Sequence, residues 1–78
     1  MPDFTPLQGQ YLAFTWYYTK VNGWPPAHVD FQRFFGTTPP TVVGMLNRLE
    51  AAGWIAREPG TARSIRVTLP REQLPDLE

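Results

Sequence analysis

Thr38, Thr41, Val43, Gly44, Asn47 and Arg48 lie in one short stretch whose apolar residues recur at helical spacing. Val42, Met45, Leu46 and Leu49 stand at i, i+3, i+4 and i+7, which lays them along one stripe of a helix. Thr41, Gly44, Asn47 and Arg48 then share the opposite stripe, with Val43 and Ala51 at its edges. These side chains match what base-pair edges offer in a DNA groove. An asparagine amide can pair with adenine at two points and a guanidinium with guanine, and threonine or valine methyls can meet the thymine methyl. Gly44 costs about 1 kcal/mol of helix propensity relative to alanine, which suits a place where another surface approaches closely. The same face also fits an ordinary solvated helix surface.

A second group, Arg57, Arg63 and Arg66, flanks Pro59-Gly60. Planar guanidinium donors around a tight turn suit phosphate oxygens, with Arg63 and Arg66 the better placed of the three. Exposed arginines that merely keep a hairpin soluble are the plainer account. Trp16 and Tyr17 fall where their segment should turn polar, and Trp24 follows in a Gly/Pro-rich stretch. These three are a candidate partner surface, or else rings folded under the chain's own loops.

Catalytic and metal chemistry find little support. The chain has one histidine and no cysteine, so His28 has no second ligand of its kind and reads as a surface residue. Ser64, the sole serine, sits in an expected strand without an evident base, and no Gly-rich phosphate loop is present. No enzyme, cofactor or metal is expected. The formal net charge is zero, which by itself argues against nucleic acid, but the distribution changes that reading. Lys20 and Arg33 cancel Asp3 and Asp30. From Pro40 to Arg71, Arg48, Arg57, Arg63, Arg66 and Arg71 face only Glu50 and Glu58, and the excess is masked by Glu72, Asp76 and Glu78.

The elements that must position these residues follow from local signals. Seventy-eight residues hold one domain, and without disulfides its stability must come from a core to which eleven aromatics contribute. Thr5-Pro6-Leu7-Gln8 combines an N-cap, a proline at the first helical position and a capping-box glutamine, so a first helix runs from Pro6 to Asn22, where Gly23 and Pro25-Pro26 stop it. Ala27 to Phe35 reads as a short second helix closed by Gly36. Thr38 caps a third that starts at Pro39 and ends at Gly53. Trp54–Arg57 and Ser64–Leu69 then read as strands joined by Glu58–Arg63, with Ile65, Val67 and Leu69 on the core face. The expected architecture is mainly α with a small β-hairpin: a winged helix-turn-helix over residues 4–69, three helices plus a two-stranded C-terminal wing. Residues 70–78 read as a polar tail that frays. No stretch is apolar enough for a membrane span, and Met1-Pro2-Asp3 lacks the basic start of a signal peptide, so a cytoplasmic location is expected.

Thr5-Pro6-x-Gln8, Gly23-x-Pro25-Pro26 and Ala62-Arg63-Ser64-Ile65 occur here in order, with Leu12, Phe14, Tyr18, Phe31, Phe35-Gly36, Thr41-Val42, Leu46, Leu49 and Gly53 between and around them. From Phe4 to Leu69 this pattern resembles the N-terminal DNA-binding domain of LexA-type repressors. The resemblance implies that the third helix enters the major groove of double-stranded DNA while the wing lies near the backbone. Thr37 stands where that family usually has an aliphatic residue, and Val43 and Gly44 where polar side chains are typical. The family's usual second domain carries a serine-lysine self-cleavage site and mediates dimerisation; self-cleavage is not expected of these residues, and a weak homodimer is. The expected function is that of a small LexA-like transcriptional repressor, with a winged-helix protein-interaction or assembly module as the alternative.

Overall fold

Thr5 sets the first helix. In the computed structural model, which describes residues 2–78, its hydroxyl accepts the Gln8 N–H at 3.2 Å while its own N–H donates to Gln8 Oε1 at 2.8 Å. Met1, the first residue of the stretch read for a leader, lies outside the described residues. Helix α1 spans Pro6–Asn22 and ends at Gly23, whose φ of 81° is a left-handed conformation that glycine adopts without a Cβ clash. Gly9, Tyr11, Leu12, Ala13, Phe14 and Thr15 are all buried. A run of consecutive buried residues cannot belong to a helix covered on one side only. Core covers one flank of α1 and the C-terminal segment covers another.

Helix α2, His28–Phe35, begins one residue later than its sequence suggests, because Ala27 serves as its N-cap and donates its N–H to Asp30 Oδ2 at 2.8 Å. Its phenylalanines supply the aromatic centre of the fold. Tyr11 stacks on Phe35 with ring centroids 4.2 Å apart and on Phe31 at 5.4 Å, while Phe14 meets Phe31 edge-on at 5.1 Å. Helix α3, Pro39–Ala51, buries Val42, Met45, Leu46 and Leu49, the stripe expected of it. Its cap differs from the expectation: the Thr38 hydroxyl lies 3.0 Å from that of Thr41 and makes no bond to a backbone N–H of the first turn.

Strands β1, Ile55–Ala56, and β2, Arg66–Val67, pair antiparallel with Ile55 opposite Val67 and Ala56 opposite Arg66. Both are shorter than their sequence pattern. The connecting segment is held by side-chain bonds instead of a ladder: Ser64 Oγ accepts the Glu58 N–H at 2.9 Å and donates to Thr61 O at 3.0 Å, and Arg63 has a φ of 54°. β1 packs on α3 and β2 on α1.

The segment beyond Pro70 corrects the expectation of a frayed tail. After a short 3₁₀ turn, Arg71–Gln73, Leu74 is only 7% exposed and joins the core. Pro75 closes on Gly9, where an added Cβ would lie 3.0 Å from both the Pro75 ring and Phe4. Gln10 then bridges the end of the chain, donating to Asp76 O at 3.0 Å and accepting from Glu78 N at 2.9 Å.

Candidate nucleic-acid interface

Packing of the Val42, Met45, Leu46 and Leu49 stripe turns the rest of α3 outward. Thr41, Asn47 and Arg48 are exposed, Val43 is 41% exposed, and Gly44 is half-buried. At Gly44 a Cβ would come no nearer than 4.0 Å to any other side chain, the Arg48 guanidinium. Nothing within the protein therefore requires glycine there. Thr38 sits exposed at the start of the helix, linked to Thr41 through their hydroxyls. Arg48 makes no ion pair among the described residues and is free to meet an anion or a base edge.

The wing arginines separate into three situations, and Arg63 and Arg66, the pair singled out by sequence, do not share one. Arg57, directly after β1, turns back onto α3: its Nε donates to Glu50 Oε1 at 3.1 Å and its NH2 to Asn47 Oδ1 at 2.6 Å. Arg63 turns inward as a clamp. Its NH1 lies 3.2 Å from each of Tyr18 OH, Pro25 O and Asp30 Oδ2, tying the loop to α1, the hinge and α2 at once. The Tyr18 hydrogen bond, aided by the Asp30 charge, holds the Arg63 guanidinium above its ordinary pKa. Arg66 is exposed on β2 and has no acidic partner among the described residues; it shares a shallow hollow with Thr19 and Lys20 of α1.

Two of the wing arginines thus carry their own counter-charges, Glu50 at Arg57 and Asp30 at Arg63. Glu58, the other acid of this stretch, makes no ion pair among the described residues.

The aromatic trio also divides. Trp16 and Tyr17 are half-buried beneath Arg71, whose guanidinium carbon lies 5.1 Å and 5.3 Å from their ring centroids and whose NH2 donates to Tyr17 OH at 2.6 Å. That hydrogen bond raises the Arg71 pKa as well. Trp24 remains 54% exposed, beside Val21 at 81%. Sequence reasoning missed Tyr18, Asp30, Glu50 and Ser64 as the groups that fix the arginines and the loop. Only the Ala27-x-x-Asp30 spacing carried a local signal, that of a helix cap.

Three helices with a short helix-to-helix turn and a C-terminal antiparallel hairpin define a winged helix. The family model described as MarR matches residues 23–62, just over half of the chain, and the chain belongs to that family. The resemblance to LexA-type repressors holds over most of the chain. It is 33% identical over 70 residues to the LexA repressor of Moorella thermoacetica, covering 88% of this chain and 34% of that protein. With the LexA repressor of Oleidesulfovibrio alaskensis it shares 35% over 66 residues, 85% of this chain and 32% of the relative. With that of Thermotoga neapolitana it shares 37% over 68 residues, 87% of this chain and 34% of the relative. The chain spans about a third of the length of these curated relatives. Among the described residues no helix is long and apolar enough to cross a membrane.

Proposed function

We propose that this chain is a sequence-selective binder of double-stranded DNA acting as a transcriptional repressor, with α3 in the major groove. The observation that carries the reading is the outward face of α3: side chains able to meet base edges, a glycine the fold does not require, and an arginine without an internal partner. The likeness to proteins named LexA repressor supports it. Thr41, Val43, Gly44, Asn47 and Arg48 face the bases, and Thr38 stands at the helix start where a backbone phosphate comes near. Arg66 is the wing's phosphate contact. Arg57 and Arg63 act by holding the wing in place.

The chain works as a binder and not as a catalyst, in the cytoplasm. Two copies come together on the duplex, using the exposed Val21 and Trp24 at the end of α1.

The internal neutralisation of Arg57 and Arg63 favours a second reading, an assembly module that binds protein through the same face. Titration of a labelled random-sequence duplex pool at about 50 and 200 mM salt decides between them, because phosphate neutralisation makes affinity fall steeply with salt. Binding that strengthens at low salt and resolves into a preferred sequence is the expected result. Failure to bind any duplex near 50 mM salt removes the DNA reading and leaves the assembly module.

A further inference from the structure

An asparagine that reads adenine needs both ends of its amide: the oxygen accepts from N6 and the nitrogen donates to N7. Asn47 does not have both ends free. Its Oδ1 already accepts from Arg57 NH2 at 2.6 Å. Arginine has donors only, so the atom facing it must be the amide oxygen, and flipping the amide would set N–H against N–H. Arg57 is itself fixed. It follows β1 directly, its side chain is only 20% exposed, and Glu50 holds its Nε at 3.1 Å. Glu50 and Asn47 lie one helical turn apart on α3, so the two grip the guanidinium side by side.

We propose that the Glu50–Arg57 pair orients the Asn47 amide with its NH2 outward, making Asn47 a selector for bases that offer acceptors, guanine first and thymine second, against adenine and cytosine. This rests on the DNA-reading function proposed above. Guanine presents N7 and O6 in the major groove and thymine presents O4, all acceptors for the outward NH2. Adenine offers the NH2 only N7 and sets its N6 donor beside it, so it makes one bond next to a donor–donor clash where guanine makes two, and cytosine N4 presents a donor alone. The remaining lone pair of Oδ1 does not rescue adenine, because the guanidinium charge beside it repels an approaching N–H. Arg57 is therefore a positioning residue that sets specificity through Asn47.

The test uses the whole chain and duplexes built on its selected sequence, with all four bases tried at each position and binding followed by fluorescence anisotropy. At one position the wild type is expected to favour guanine over adenine by roughly five- to a hundredfold. Asn47→Ala should level that position alone. Arg57→Ala should free Oδ1 and swing the same position toward adenine by about tenfold, a change that lost packing or lost charge would not produce. The inference is overturned if the position levelled by Asn47→Ala is one where the wild type prefers adenine, if no single position responds, or if folded Arg57→Ala keeps the wild-type base ratio. Should Arg57→Ala fail to fold, Glu50→Gln, which loosens the same grip from an exposed site, is expected to narrow the guanine preference, and an unchanged preference overturns the idea. Absence of any duplex binding by the wild type would instead bring down the DNA reading itself, and this inference with it.

Discussion

At Gly44 stability and recognition pull in opposite directions. The space around its absent Cβ is open, so alanine fits and should gain up to about 1 kcal/mol of helix propensity. A base edge or sugar brought against the same face has no such room. Gly44→Ala is therefore expected to raise the urea midpoint and weaken duplex binding; a variant that is more stable and binds equally well takes Gly44 out of the interface. The arginines divide in the same way. Arg48→Ala should cost roughly 1–3 kcal/mol on a preferred sequence and much less on non-specific DNA. Arg66→Ala should weaken all duplexes alike and lower the slope of log K against log salt by about one unit, since one phosphate contact is lost. Arg63→Ala should act differently, because its NH1 is committed to Tyr18, Pro25 and Asp30. Proteolytic nicking between Pro59 and Ser64 is expected to speed up in that variant, and an unchanged nicking rate with a reduced salt slope would make Arg63 a phosphate contact instead.

The elements depend on contacts of two ranges. α1 starts on a reciprocal cap within four residues, so Thr5→Ala should cost about 0.5–2 kcal/mol in urea or thermal unfolding. Its far side depends on the C-terminal segment, which packs Leu74 into the core and closes over Gly9, Trp16 and Tyr17. Leu74→Ala leaves a hole at the edge of a small core, and a loss near the low end of the usual range, about 2–3 kcal/mol, is expected. Stability unchanged within error in that variant would mean that the segment lies on the helix without supporting it.

At the largest scale, the described residues measure 29 × 25 × 25 Å along their principal axes. That is less than the roughly 34–36 Å between half-sites one turn apart, so under the proposed function one copy is expected to cover a single half-site and a palindrome to take two. With a net charge of zero and two wing arginines neutralised internally, electrostatic attraction to DNA is expected to be weak. A salt slope on the order of 3–5 per domain and micromolar affinity for one half-site are expected, with tighter binding only when two copies share a duplex. Sedimentation with a palindromic duplex checks this. A one-to-one complex under saturating protein, with a chain that stays monomeric at millimolar concentration, would exclude the pairing through Val21 and Trp24.

Local signals were enough to mark the helices. Thr5-Pro6-x-Gln8, Gly23 and Gly36 act through bonds that close within four residues, and the Val42, Met45, Leu46 and Leu49 stripe is a matter of helical period, so both are written in the order of residues. The outward face of α3 follows from the same period. The fate of the arginines does not. Arg63 and Arg66 look alike in the chain, yet Arg63 finds partners 45, 38 and 33 positions away while Arg66 stays in solvent. Arg71, in a segment that reads as a loose tail, reaches Tyr17 across 54 positions and turns two surplus aromatics into half-buried ones. Arg57 takes the Asn47 oxygen because the hairpin returns beside α3. Such pairings are made where helices and strands already packed by the core happen to bring chain segments together. Composition counts the charges; tertiary packing decides which of them are used up inside the molecule and which are left for a partner.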